Sequence, residues 1–387
     1  MAAVKPVRFI GKNNRDFVRT VNKRVESYFK DKGISKHADY RMVIKTICMM
    51  AFYITPFVFI LNGIEQTWLF YVTEILMGIG LAGVGLSVMH DANHHAYSKN
   101  QKVNNIISFS LNLLGGSSTN WRIQHNVLHH TYTNIHGHDE DIAPVSNLLR
   151  FSPHDELKKV HKFQYLYAWF FYGLMTLMWC TTKDIAQLKR YKDKDLLKGQ
   201  RITYKKALTR IIITKVCFLA VTLGLPFALT DYSATQIILG FLTMHFVAGF
   251  FLAIVFQPAH VMEDIEYPLP TDKNEIENFW LVHQLYTTCD FAHNNRILSW
   301  YVGGLNYQVE HHLFPGICHV HYRALSKIVK QTAHEFELPY HVRKTFIGAI
   351  IKHGSMLKKL GTDWKPVQAQ PIPVAPVKSE ERVAEPA

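Results

Sequence analysis

Four stretches of this chain, 44–62, 68–89, 211–230 and 234–256, stay apolar over the ~20 residues that a helix needs to cross a bilayer. Lipid offers no hydrogen-bond partners, so a segment of that length must satisfy its own backbone, which only a helix does within one segment. The connectors NGIEQ and DYSA carry no Lys or Arg, whereas residues 1–42 carry 11 and residues 181–206 carry 9. By the positive-inside rule both ends of the chain and the segment 90–206 are expected on the cytoplasmic side, with the two short connectors outside. Composition agrees: charged residues make up 19% of the chain against about 25% in an average soluble protein, and the deficit sits in these stretches. The net charge of +13 flanks them, which suits an anionic membrane face rather than a nucleic acid.

Two further apolar stretches are shorter or crowded with aromatics. Residues 105–115 are too short to span, and FQYLYAWFFYGLMTLMWC at 163–180 has the aromatic density of a membrane interface. Both are expected to lie in the interface. Residues 1–42 form a basic segment in which Phe17, Val21, Val25 and Phe29 recur at helical spacing before Gly33. That pattern predicts an amphipathic helix, packed on the protein or lying on the membrane surface. The main domain then occupies 43–365, with further helices at 322–337 and 342–360. Residues 366–387 are Pro-, Val- and Ala-rich with alternating charge, the composition of a disordered tail. The five cysteines form no CxxC and are expected to be reduced apolar residues. No cleaved signal peptide and no internal repeat is apparent.

The chain holds 22 histidines. Scattered ones, such as His37, His154, His161, His334, His341 and His353, are expected to be surface or hydrogen-bonded core residues. Three clusters differ. His90 and His94 are four apart, which puts both on one face of a helix. His125 and His129 repeat that spacing, and His130 follows. Gln308 and His311 are three apart, and His312 follows. An i, i+4 pair converges on one ion, whereas adjacent helical residues diverge by ~100°. Adjacent histidines can therefore serve two neighbouring ions, so the pattern predicts a two-metal centre with His129/His130 and His311/His312 each divided between the ions. His260, in FQPAHVMED just past the fourth stretch, is expected to join them. Gln308, His95 and His283 are further candidates for the ligand set or its support. Asp91, Asp139 and Glu310, together with His136, His138, Glu140 and Asp141, are candidates to join the ligand set or to accept hydrogen bonds from the ligand rings. His245, about 22 Å from His260 at 1.5 Å per residue, is expected to pack or hydrogen-bond inside the membrane. Imidazole suits Zn, Cu, Fe and Ni, and eight or more nitrogens exceed a single zinc site.

One site also constrains topology. The three clusters share a membrane face only if 105–115 and 163–180 do not cross, which leaves four spans. The expected fold is therefore an all-α integral membrane protein whose four transmembrane helices carry a cytosolic helical cap.

HDANH, RIQHNVLHHTYTNIHGHD and GGLNYQVEHHLFPGICHVHY resemble the three histidine boxes of membrane fatty acid desaturases. The likeness is closest to the delta-6-type, or linoleoyl, front-end desaturases of bacteria and cyanobacteria, and it covers residues 10–360. It implies a cytosolic cap holding a non-haem diiron centre. Carried over residue by residue, the iron ligands are His90, His94, His125, His129, His130, His260, His311 and His312, with no catalytic residue beyond them. Gln308 stands where other desaturases have a ninth histidine, and glutamine there marks the front-end enzymes. The implied reaction consumes O2 and two electrons and places a cis double bond in a long acyl chain carried by a lipid or by CoA. Many eukaryotic members carry a fused cytochrome b5 domain with an HPGG motif. That motif is absent from this sequence, so a separate donor, a ferredoxin or cytochrome b5, is expected. A membrane diiron hydroxylase shares the boxes but leaves an alcohol. A metal transporter or sensor would place its ligands near the bilayer midplane.

Overall fold

Each of the four long apolar runs is helical in the structure, a computed structural model that describes residues 6–11, 14–143 and 147–365. Among these residues, four helices are long and apolar enough to cross a membrane: Tyr40–Leu61, Thr67–Asn93, Tyr204–Leu229 and Ala234–His260. Three of the four begin at a side-chain cap. The Asp39 carboxylate accepts the Arg41 N–H, the Thr203 hydroxyl the Lys206 N–H and the Ser233 hydroxyl the Gln236 N–H. Each cap satisfies an amide that the helix itself leaves open. The third helix begins seven residues before the apolar run, because the amphipathic turn containing Lys205, Lys206 and Arg210 continues the same helix.

Burial divides the four unequally. The most apolar windows of the second and fourth helices are 67% and 56% buried, those of the first and third only 22% and 28%. The second helix therefore forms the centre, packed on the first and the fourth. Glycine lets the backbones approach, as in other membrane bundles. A Cβ on Gly78 would lie 2.5 Å from the Met244 carbonyl, one on Gly80 2.6 Å from the Phe52 carbonyl, and one on Gly249 2.6 Å from the Gly173 carbonyl.

The two ambiguous stretches do not form long spans. The first is broken into helices Gln101–Ser108 and Ser110–Leu113. The second runs through Gln164–Gly173 and Met175–Met178 into a wider π-turn at Trp179–Lys183. The N-terminal helix Arg15–Lys32 packs on the protein. Phe17 and Val21 are buried against Leu285, Val309, Leu313 and Val329, and Arg24 reaches Thr332 and Glu335. The late helices are Tyr322–Glu335 and Phe346–Leu360. An all-α expectation needs a small correction. Arg8–Phe9 pairs in parallel with Glu275–Ile276, and Cys289–Phe291 with His341–Arg343. These pairs are too short to give a periodic signal, and they join segments hundreds of residues or tens of residues apart. The disordered tail expected at 366–387 lies outside the described residues.

The glycine contacts can be tested directly. Gly249→Val should cost about 1–3 kcal/mol, the usual range for overpacking, and lower the melting temperature in detergent. Gly224→Val, whose nearest neighbour is the Ala220 Cβ at 4.0 Å, should be tolerated. An equal response from the two variants would contradict close backbone packing at Gly249.

Candidate metal centre

The ends of the second and fourth long apolar helices bring the first and last parts of the site together. His90 ends a π-turn, Val84–Met89, in the second long helix, and His94 follows one turn later. His260 is the last residue of the fourth. Between them, the Ser117 hydroxyl caps the helix that starts at Ser118 by accepting the Asn120 N–H. The chain then widens into a π-helix, Arg122–His129. A π-turn aligns residues five apart rather than four, which is why His125 and His130 can both face inward, their Nε2 atoms 3.3 Å apart. The helix Gln308–Leu313 supplies His311 and His312. It is set by a tight loop in which Gly303 (φ 62°) passes so close to the second span that a Cβ would meet the Leu86 carbonyl at 2.6 Å.

The imidazoles gather into two adjoining groups. Ligand atoms of His90, His94, His125 and His311 lie within 4.8 Å of one another, and so do those of His129, His260 and His312. His130 stands between. Its Nε2 is 3.0 Å from His311 Nε2, and its ring stacks on His312 at 4.3 Å. His311 thus falls in the first group and His312 in the second, while both also lie with His130 in a set whose ligand atoms are within 4.8 Å of one another. In the second group His312 Nε2 approaches His260 Nε2 at 3.1 Å. All eight rings are buried.

Orientation comes from the opposite ring nitrogen. His125 Nδ1 donates to Asp141 at 2.8 Å, and His129 Nδ1 to both oxygens of Asp139 at 3.0 Å. His312 Nδ1 lies 2.9 Å from Gln284 Oε1, His311 Nδ1 3.2 Å from the Tyr322 hydroxyl, and His260 Nδ1 3.3 Å from the Thr287 carbonyl. Fixing the proton on Nδ1 leaves the Nε2 lone pair facing inward. Asp139 is itself held by the amides of Asn134 and Asp141. Burial, reinforced by the neighbouring rings, pulls His94, His125, His130, His311 and His312 well below the usual imidazole range, so these rings are neutral. Burial pulls His129 the same way, but Asp139 and Asp141 together outweigh it and raise its affinity for a proton. Among the described residues, His94 Nε2 and His130 Nδ1 are buried without a hydrogen-bond partner. Neutral rings, inward lone pairs and orphaned nitrogens are what a pair of metal ions requires, and the donor set fits one.

Other expected residues go elsewhere. His95 takes a left-handed conformation (φ 60°) that turns its exposed ring away to Gln101. His283 Nε2 donates to the Thr133 carbonyl at 2.8 Å, so it braces the second cluster's turn. Glu310 points to the Tyr340 hydroxyl at 2.9 Å, beside Asp290, and not to a ligand ring; burial and then Asp290 raise its carboxyl well above the ordinary range. Asp91 lies 3.9 Å from His90 Nδ1 but binds His319 Nδ1 at 2.8 Å. Gln308 is buried one turn before His311 and His312, its amide nitrogen unpartnered among the described residues. His136 faces Asp155, and Glu140 pairs with Arg190 and Lys194. His245 Nδ1 meets the Thr176 hydroxyl at 3.0 Å. The sequence reasoning missed Gln284, Tyr322, Trp121 and the buried Lys45–His319–Asp91 chain, in which Lys45 Nζ lies 2.7 Å from His319 Nε2. His319 sits in the CHVHY string only seven residues past His312, which was the available signal.

Comparison with known proteins agrees with this geometry. A family model described as fatty acid desaturase matches residues 66–344. The chain is 36% identical over 346 residues to a protein of Arthrospira platensis named sn-1 linoleoyl-lipid 6-desaturase, covering 89% of this chain and 92% of that one. A protein of the same name from Synechocystis sp. is 33% identical over 364 residues, covering 93% and 99%. An acyl-lipid (8-3)-desaturase of Physcomitrium patens is 32% identical over 353 residues, covering 90% and 72%.

The carboxylate that holds His129 provides the test of this site. Asp139→Asn keeps the volume but weakens the acceptor. It should reduce metal affinity or activity about 10–100-fold, the usual effect of removing a ligand's orienting partner, with helix content unchanged by circular dichroism. Metal affinity and activity both unchanged would contradict the role given to Asp139.

Proposed function

The chain belongs to the fatty acid desaturase family, and on that premise we propose that it is a front-end acyl-lipid desaturase acting on an already unsaturated chain of the linoleoyl type. The observation that carries the reading is the gathering of eight buried imidazoles into two adjoining groups of four and three, with His130 between them. The relatives' names supply the substrate class, and the position of Gln308 on the ligand helix is consistent with counting from the carboxyl end. The relatives named above are desaturases, and none supports a hydroxylase or a transporter.

We assign the centre two non-haem irons held by His90, His94, His125, His129, His130, His260, His311 and His312, with Gln308 as a neighbour whose free amide can bind or hydrogen-bond there. Bound iron would supply the redox chemistry with O2 that removes two hydrogens from an unactivated pair of methylenes. The chain's own part is positional. Asp139, Asp141, Gln284 and Thr287 fix the rings. The indole of Trp121, 4.4 Å from the His125 ring, and Phe256, 6.0 Å from it, close the apolar side against water. An acyl chain offers no polar mark at the reacting carbons, so the reactive bond must be selected by holding the chain in register.

The remaining assignments follow from charge and hydropathy. The four helices cross the membrane, and both termini and the metal centre face the cytoplasm in a helical cap, as the Lys and Arg distribution supports. Residues 1–42 form a basic segment on the cap, 43–365 the catalytic domain and 366–387 a tail. Electrons come from a separate protein, a ferredoxin or cytochrome b5, whose acidic surface the basic cap would steer.

Expression in a host supplied with linoleate, followed by double-bond mapping, tests this reading. The expected product carries a new cis double bond on the carboxyl side of the existing pair, at the position named in the relatives. His312→Ala should abolish it while the protein remains folded in the membrane. A hydroxylated product, or full activity in His312→Ala, would contradict the assignment.

A further inference from the structure

A segment can enter a bilayer without crossing it if its backbone is already paired and its outer face is apolar. Hydropathy averaged over the length of a full span does not register such a segment. Residues 295–304 meet both conditions. They lead from the strand Cys289–Phe291 to the helix that carries His311 and His312.

The short helix Arg296–Tyr301 reaches well away from the metal-bearing ends of the long helices. The Tyr301 hydroxyl donates to the Ile79 carbonyl at 2.8 Å, and its ring stands edge-on to Phe251 with centroids 6.2 Å apart. Ile79 precedes His90 by 11 residues and Phe251 precedes His260 by nine. At 1.5 Å per residue these contacts lie roughly 16 and 14 Å along the two helix axes from the histidines. Both positions are inside the apolar runs 68–89 and 234–256. Gly83 makes the space, since a Cβ there would lie 3.2 Å from the Tyr301 ring and 2.6 Å from Met49 Sδ. Lys45, at the start of the apolar run 44–62, holds its Nζ 5.6 Å from the centroid of the Trp300 ring. The chain then turns back through Gly303 and Gly304, both left-handed (φ 62° and 68°), toward Gln308.

The backbone of this excursion is closed on itself. Asn295 Oδ1 accepts the Leu298 N–H at 3.0 Å and caps the helix. The amides of Ser299, Val302, Gly304 and Leu305 donate to the carbonyls of Asn295, Leu298, Ser299 and Val302. The Ser299 hydroxyl donates to the Asn295 carbonyl at 2.8 Å. Few polar groups are left that would resist lipid.

The two faces of the helix differ. Leu298 and Tyr301, three apart, pack on the main apolar core. Ile297 and Trp300, also three apart, are 83% and 44% exposed. Lys45 joins this outer face to that of the first long helix, where its neighbours Ile44 and Ile47 are 53% and 64% exposed. Tryptophan is the side chain of a membrane interface, and the exposed Arg296 beside it has the length to reach headgroups. A second copy of the chain is the poorer occupant, because a stable protein interface needs about 800 Å² from each partner and two side chains do not supply it.

Resting on the reading above that the four helices cross the membrane, we propose that residues 295–304 form a re-entrant element, which dips into the leaflet nearest the metal centre and seats Ile297 and Trp300 against lipid acyl chains. The element continues into the helix Gln308–Leu313. The bilayer itself therefore helps to set the height of His311 and His312 relative to the lipid.

The test uses the full chain in phosphatidylcholine nanodiscs, with the exposed Cys48 and Cys217 replaced by serine and a nitroxide attached at Ile297→Cys. Collisions with oxygen, which concentrates in hydrocarbon, are compared with collisions with the water-soluble complex nickel–EDDA. Ile47→Cys on the first long helix serves as the lipid reference, and Lys330→Cys on the exposed face of Tyr322–Glu335 as the aqueous one. The expected oxygen-to-nickel ratio at Ile297→Cys matches that at Ile47→Cys and exceeds that at Lys330→Cys tenfold or more. A label-free measurement accompanies it: lipids brominated on the acyl chain should quench a part of the tryptophan emission that Trp300→Phe removes. A ratio at Ile297→Cys equal to that at Lys330→Cys, or a Trp300 emission that brominated lipids leave unquenched, would overturn the proposal. Exclusion of both reagents from Ile297→Cys would also overturn it, because protein and not lipid would then cover the face. If the label at Ile47→Cys itself reads as aqueous, the spanning reading fails first and takes this proposal with it.

Discussion

An imidazole serves a metal only as a neutral ring whose lone pair points at the ion, and eight imidazoles are buried together here in one small volume. Burial keeps His94, His125, His130, His311 and His312 neutral. Hydrogen bonds at Nδ1 then decide which nitrogen faces inward: Asp141 for His125, Asp139 for His129, Gln284 for His312. Without these anchors the same rings would repel one another on protonation or donate to each other's lone pairs. The inward nitrogens lie 3.0–3.3 Å apart, close enough for one cation to be shared between neighbouring rings.

The helices exist in service of that convergence. The second and fourth long helices are the buried pair, brought close at Gly78 and Gly240, and they deliver His90 and His260 at their ends. The π-turns adjust the phase where an α-helix would point a ring away. The N-terminal helix packs on Val309 and Leu313 and so backs the helix that carries His311 and His312. The outer first and third spans contribute less to the core. The third nevertheless sends Lys215 inward to Asp184 and the Gly115 carbonyl, tying their two segments together.

Much of this was legible in the sequence because it rests on spacing. Four apolar runs announce four long helices. His90 and His94, four apart, share a face and a ring group, and the adjacent His311 and His312 fall in different groups; His125 and His129, also four apart, do not share one, because the π-turn aligns His125 with His130 instead. Adjacency misled at His95, where a left-handed residue ends the helix and no glycine marks the turn. It misled again at Glu310, which neighbours a ligand in sequence but faces Asp290 and Tyr340. Partners drawn from distant segments were not legible at all. Lys45, Asp91 and His319 come from three separate parts of the chain, and Gln284 meets His312 only after the chain has folded back. No local period encodes such contacts; they depend on tertiary packing.

The central claim is that the two ring groups form one centre for two irons. Metal analysis of the purified, iron-supplemented protein together with Mössbauer spectroscopy tests it most directly. The account predicts about two irons per chain in a spin-coupled pair, as in other helical diiron proteins. One iron per chain, two uncoupled irons, or stoichiometric zinc without oxygen consumption would contradict it.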